Sequence, residues 1–331
     1  MSLSHTETRE LLGGLNDLIQ AGDLEGTRLY LAGLNEEERS VVSPTAVMWF
    51  RRLVRSRLAD LDELTSEARK SKSALLATLS TASPDQIESL NFEYAFLERS
   101  DLDFLCDLKP PCLAGLGEVL LSQSPRWWSE VRYLVLASAC PKPVGPAYVR
   151  AFIENVDPGE LKAVSIVEPD LLEEDIWRLF RETGDPRLKL PRAWVPAIIE
   201  LSREGLLARQ SLLSACLSAL ALPITCLQAS FYVRLHDGLE PSSRERRERL
   251  VSYAGLSGSS CPAAVSFAIK NLDRMDREEA LTGDVLLKAL ESIAVPLPAT
   301  PVKTASRLLE RLSKRDASLA SRAAAIVGSL C

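Results

Sequence analysis

From about Leu161 onward, apolar residues return every 37 positions in parallel series. Leu161, Ile198, Leu235, Leu272 and Leu309 form one, and Ile176, Leu213, Leu250, Leu287 and Ala324 a second. Leu179, Cys216, Tyr253, Leu290 and Val327 form a third. Val164, Leu201, Gly238, Met275 and Leu312 form a fourth, interrupted at the glycine. Self-similarity at this period signals stacked helix pairs, each unable to bury its apolar face without a neighbour. Five pairs are predicted over 157–331. Asp157-Pro158 caps a helix to Val167, and Pro169 opens its partner to Glu182. Pro191 to Arg203 pairs with Arg209 to Leu222, and Pro223 to Leu239 with Ser242 to Tyr253. Pro262 to Leu272 pairs with Asp284 to Ile293, and Pro301 to Leu312 with Ser318 to Leu330. Proline near so many helix starts suits a compact array with short turns.

Residues 1–140 read as a less regular helical segment. Thr6 to Ala21 is amphipathic and ends at Gly22-Asp23; a second short helix runs through Leu34, and Asn35 with Glu36 to Glu38 starts a third. Ser43-Pro44 reads as a cap and first-turn proline opening a long helix through Leu53, Leu58, Leu61 and Leu64. Thr65 to Ser73 is either a bend or the exposed face of that helix. Ser83-Pro84 starts a helix containing Ile87, Leu90, Tyr94 and Leu97, and Lys109-Pro110-Pro111 breaks the chain firmly. A helix after Ser124-Pro125 carries Trp127-Trp128, Val131, Leu134 and Val135. Pro141-Lys142-Pro143 with Gly145-Pro146 is the strongest linker signal, so 141–156 is placed as linker and entry helix before the repeats.

Composition agrees with an all-α chain. Leu and Ala dominate, Gly and aromatics are sparse, and alternating Val-Ile-Thr runs are almost absent. Ser211 to Val233 has no charged side chain and is long enough for a bilayer of ~30 Å. Pro223 and the 37-residue register instead make it two successive buried helices. The polar start, Met1 to Glu10, does not read as a secretory signal. The seven cysteines have no tight paired spacing and no nearby histidine, so zinc and thioredoxin-like chemistry are not expected. Reduced thiols in the cytosol are the simplest reading.

The opening residues Leu18, Ile19, Ala21-Gly22-Asp23 and Leu34-Asn35 before Glu38-Arg39 resemble the start of a bacterial helical-repeat family of no assigned activity. Trp177 with Leu179-Phe180, Trp194, Gly205, Leu212-Leu213 with Ala215, Phe231, Leu235-His236-Asp237, Leu239 and Pro241 extend the resemblance across much of the chain. It implies HEAT- or armadillo-like α-solenoid architecture and a binding role rather than a reaction.

No catalytic constellation stands out, and no cofactor or metal is expected. His236 and Asp237 are helix neighbours at i,i+1, which diverge, so a cationic histidine near its helix carboxyl end is the simpler reading. Gly255 to Ser260 has the glycines of a phosphate loop without its Gly-Lys-Ser/Thr or preceding strand. Arg244, Arg246, Arg247 and Arg249 alternate with Glu245 and Glu248, as local ion pairs do.

The net charge of −6 argues against a dedicated nucleic-acid binder, which needs a basic surface. Charge is unevenly spread: Glu154 to Asp185 holds ten acidic residues, while Lys303 to Arg322 holds six basic ones. The expected function is a cytoplasmic, non-enzymatic, protein-binding scaffold. The alternative is a nucleic-acid-binding array of the architecture found in helical-repeat DNA glycosylases. Partner contacts are expected at Glu173, Glu174 and Asp175 and at whichever of Trp127 and Trp128 faces outward, since adjacent helical side chains diverge by ~100°. The carboxylate triplet also suits a helix amino terminus, and it lacks the shaped oxygen loop of a cation site.

Overall fold

The computed structural model describes residues 3–56, 64–167, 169–182 and 188–330. Among them are twenty α-helices and no strand. No described helix is long and apolar enough to cross a membrane. The chain divides into two compact units, Met1–Asn155 and Val156–Cys331.

In the first unit, α1 (His5–Ala21) starts from a Ser4–Glu7 capping box and ends at Gly22, whose φ of 64° only glycine adopts freely. A Cβ there would lie 2.8 Å from the Cβ of Arg69. Helix α2 (Leu24–Gly33) is capped by Asp23. Helices α3 (Glu36–Ser56) and α4 (Leu64–Thr81) pack along each other and against α1. Ser43-Pro44 therefore caps nothing: Pro44 lies inside α3, on an exposed face, while the Ser43 hydroxyl donates to Gln86 Oε1 at 3.0 Å. Tertiary packing of Val42, Ala46, Val47 and Phe50 carries the helix across the proline. Leu58 and Leu61 lie outside the described residues.

Thr65 to Ser73 is helical, and its far end is core rather than outer face. Lys72 is buried and pairs with Asp101 at 3.0 Å and Glu98 at 2.7 Å. Asp101 also accepts from Arg28, so one buried carboxylate joins α2, α4 and α6 (Arg99–Leu108). The helix from Ser83 is shorter than expected. Ser83 caps α5 (Pro84–Glu88), but the chain then turns through Ser89, whose hydroxyl donates to the Gln86 carbonyl, and through an Asn91 side chain that accepts from the Glu93 N–H.

Helix α7 (Leu113–Gln123) follows the two prolines, then a 3-10 turn (Pro125–Trp127), α8 (Trp128–Leu136) and α9 (Pro146–Asn155). The Pro141–Gly145 stretch is tied to the first unit. Glu118 accepts from the Val144 and Gly145 N–H groups, and Pro143 and Cys140 crowd Gly117 of α7.

The second unit contains α10 (Leu161–Val167), a π turn (Leu171–Asp175), α11 (Ile176–Arg181), α12 (Trp194–Arg203), α13 (Arg209–Leu220), α14 (Cys226–Gly238), α15 (Ser243–Glu248), α16 (Leu250–Leu256), α17 (Pro262–Glu278), α18 (Gly283–Glu291), α19 (Ala299–Arg315) and α20 (Ala320–Leu330). Two rows of neighbours run through it. Helices α12, α14, α17 and α19 touch in succession, and so do α11, α13, α16, α18 and α20.

All five residues of the Leu161 series are buried. The other series hold except where packing changes. Leu250 is half-buried at the break between α15 and α16, Val164 and Val327 are half-buried, and Ala324 is exposed on α20. At half-buried Gly238 a Cβ would meet the Cδ1 end of the Ile199 side chain at 2.5 Å, a contact that rotation of that side chain can relieve.

Candidate functional site

The first sequence-predicted contact group sits at the start of the second unit. The three carboxylates are consecutive in the π turn Leu171–Asp175, and adjacent helical side chains diverge, so they do not share a face. Glu173 and Glu174 are exposed, but Asp175 is buried at 1 % and pairs with Arg178 at 3.9 Å. Arg178, itself buried, donates from Nε to Glu182 Oε1 at 2.8 Å. Asp175 is thus a helix-start residue inside an ion-pair network, and the expectation of a partner contact there is corrected. A carboxylate this deep persists only because it is paired.

Trp127 and Trp128 are both buried, at 2 % and 3 %, so the expected outward-facing indole does not exist. Trp127 closes the 3-10 turn and Trp128 opens α8, so the two do not follow the angular step of a single α-helix. Trp128 packs against Tyr148 and Phe152 of α9, with ring centroids 5.0 and 5.7 Å apart. The Arg126 guanidinium lies 4.8 Å from the Trp127 ring centroid. These are core packing residues of the first unit.

His236 is fully buried on α14. Its Nε2 and the Tyr253 hydroxyl of α16 are 2.7 Å apart, and Phe267 of α17 meets the ring edge-on at 5.0 Å. Burial pushes its pKa down to about 4, against the smaller upward pull of Asp237. The imidazole is therefore neutral at physiological pH, which corrects the reading of a cationic helix-end residue. Asp237 faces away and pairs with Lys270 at 2.9 Å, so no histidine–carboxylate dyad forms.

The structure brings together one polar recess that sequence reasoning missed. The start of α3, the end of α4, the cap of α5 and the Lys109–Pro111 turn enclose a cleft of about 750 Å³. Arg39, Ser40, Ser80, Ser83 and Lys109 line it, with Glu36 and Asp85 on its walls. Arg39 and Lys109 form no ion pair among the described residues, and the buried Ser80 hydroxyl has no hydrogen-bond partner there. Lys109 is held at a positive φ of 50°, just past α6. The recess offers donors and balanced charge, but no histidine or cysteine that would make a nucleophile–base pair. Its residues come from three separated segments, so no local motif announces it.

Among the described residues no cluster of three or more His, Cys, Asp or Glu side chains is placed to hold a metal ion. Comparison of the chain with family models, with curated proteins and with solved structures finds no match.

Proposed function

We propose that the chain is a non-catalytic, cytoplasmic protein-binding scaffold whose second unit is an α-solenoid of HEAT-like helix pairs, resembling bacterial helical-repeat proteins. The observation that carries this reading is the burial of equivalent residues, 37 apart, between helices that touch in two successive rows. An array built this way stacks its apolar faces on one another and leaves an extended polar surface, which is the usual binding device of repeat proteins. Residue chemistry supports binding over catalysis: the buried histidine is neutral and paired with a tyrosine, and the described carboxylates with depressed pKa values are engaged in caps and ion pairs.

Exposed Glu173 and Glu174 are the proposed contact residues, and their charge selects a basic partner surface. The basic carboxyl-terminal helices offer less charge than their composition suggests. Arg311 and Arg315 are bound to Asp273 and Asp276, and Arg322 to Glu291.

Affinity purification of the native protein followed by mass spectrometry names the partner. Substituting Glu173→Gln and Glu174→Gln is then expected to weaken capture several-fold at low salt and less at high salt. Unchanged capture at low salt moves the interface elsewhere. Tight, steeply salt-sensitive retention on duplex DNA or heparin replaces this reading with the nucleic-acid one.

A further inference from the structure

The Cys226 and Cys261 sulfurs lie 3.8 Å apart, although the residues are separated by most of a repeat in sequence. Cys226 is the first residue of α14, after the Thr225 cap, and its side chain is exposed. Cys261 is the N-cap of α17 and is buried at 2 % exposure. The two helices are direct neighbours, so the pair bridges successive members of one row.

We propose that Cys226 and Cys261 form a redox-modification site, in which a peroxide oxidises the pair to a disulfide joining the amino ends of α14 and α17. The exposed Cys226 sulfur, as thiolate, attacks one peroxide oxygen. The O–O bond breaks, water leaves after proton transfer, and Cys226 becomes a sulfenic acid. The Cys261 sulfur then attacks the Cys226 sulfur. The S–O bond breaks, a second water leaves with the Cys261 proton, and the disulfide forms. The two thiols have lost two electrons and two protons, and the peroxide has taken both.

Geometry favours this pair over the other described thiols. A disulfide needs sulfurs about 2.05 Å apart, so the two have less than about 2 Å left to close. An outer sulfur meets oxidant while an inner one, already adjacent, resolves it. Cys112 and Cys140 are buried, with pKa values pushed up to about 12 and about 11 by loss of water, and Cys112 donates to the Leu79 carbonyl. Cys216 is fully enclosed. Cys106 is only half-exposed and so meets oxidant less readily than Cys226. The helix amino terminus draws a thiolate at Cys226, yet the neighbouring Cys261 sulfur outweighs it and holds the Cys226 pKa above the ordinary range. Oxidation is accordingly expected to accelerate as pH rises.

The test uses the full chain, reduced, freed of reductant and treated with equimolar hydrogen peroxide. Remaining thiols are then alkylated and the protein digested without reductant for mass spectrometry. The expected product is one cross-linked peptide pair containing Cys226 and Cys261, reversed by dithiothreitol. It is lost in Cys226→Ser and Cys261→Ser and kept in Cys106→Ser. In Cys261→Ser, where serine is a good N-cap and preserves the helix start, Cys226 is expected to be trapped by dimedone as its sulfenic acid. Oxidised wild type should unfold at a higher temperature than reduced protein. Oxidation appearing first at Cys106, or Cys226 passing to sulfinic acid or intermolecular dimers without the cross-link, overturns the proposal.

Discussion

Burial takes the His236 imidazole out of water, and the cost falls on its charged form, so its pKa drops to about 4 from an ordinary 6.5. The sign of the stability effect follows. As pH falls through 6.5 the unfolded chain takes up a proton that the folded chain refuses, so folding stability is lost between about 6.5 and 4 and is complete above that window. The whole effect amounts to roughly 3 kcal/mol. Urea unfolding at pH 7 and pH 4.5 is expected to show this loss in wild type and much less of it in His236→Phe. An equal pH dependence in both proteins would place the acid sensitivity elsewhere. The same desolvation explains Lys72 and Asp101, which remain in the core because each is matched by an opposite charge within hydrogen-bonding distance. A reader of the chain sees the polarity of Thr65 to Ser73 but not the carboxylate from α6 that makes it tolerable.

Helices in this protein begin where capping chemistry is strong and end where the chain is forced to turn. Ser4, Ser83, Thr225 and Ser242 each take part in a reciprocal capping box with the residue three positions on. Ser43-Pro44 repeats the Ser-Pro start of Ser83-Pro84 without being a cap, because the apolar stripe through Val42, Ala46 and Val47 is buried on both sides of the proline. Pro44 leaves the Ser40 carbonyl without its helical donor, on an exposed stretch where water can replace it. Pro44→Ala is therefore expected to stabilise the protein by about 2 kcal/mol, since the interior-proline cost exceeds the entropy that proline removes from the unfolded chain. Chemical denaturation reads this directly; a fall in the midpoint would mean that Pro44 stabilises α3. Both indoles of Trp127-Trp128 are inside because neighbours cover them: α7 and α9 pack on the 3-10 turn, and Tyr148 and Phe152 of α9 on Trp128.

On the largest scale, each unit is held by its own contacts, and in the second these include ion pairs between separate helices. Arg209 reaches Glu245, Arg246 reaches Glu278, and Asp276 accepts from both Arg311 and Arg315 as well as from the Leu281 N–H. Asp276 is buried, whereas its arginines are about one-third exposed and can regain water. Removing the carboxylate thus leaves chiefly an unsatisfied backbone donor and a lost link between α17 and α19, about 2 kcal/mol in all. Asp276→Ala is expected to raise hydrogen exchange in α19 and α20 more than in α12 and α13. Uniform loss of protection would show that the second unit opens as one block rather than neighbour by neighbour.

The amino-acid sequence by itself determined the all-helical class, the breaks at Gly22, Lys109-Pro110-Pro111 and Pro223, and the buried Leu161 series. These follow from local rules: a repeated apolar period, capping side chains and proline geometry act within a few residues of one another or recur at a constant interval. Tertiary structure alone decided the burial of Asp175, Lys72 and both tryptophans, because burial depends on which distant group arrives to pair or pack. The Arg39–Lys109 recess was illegible for the same reason, its walls being assembled from segments far apart. Cys226 and Cys261 stand between these cases. Their separation is close to the repeat length, so the period hints that they sit at matching ends of neighbouring helices. Only the fold, by fixing the tilt and register of α14 against α17, brings the sulfurs to 3.8 Å.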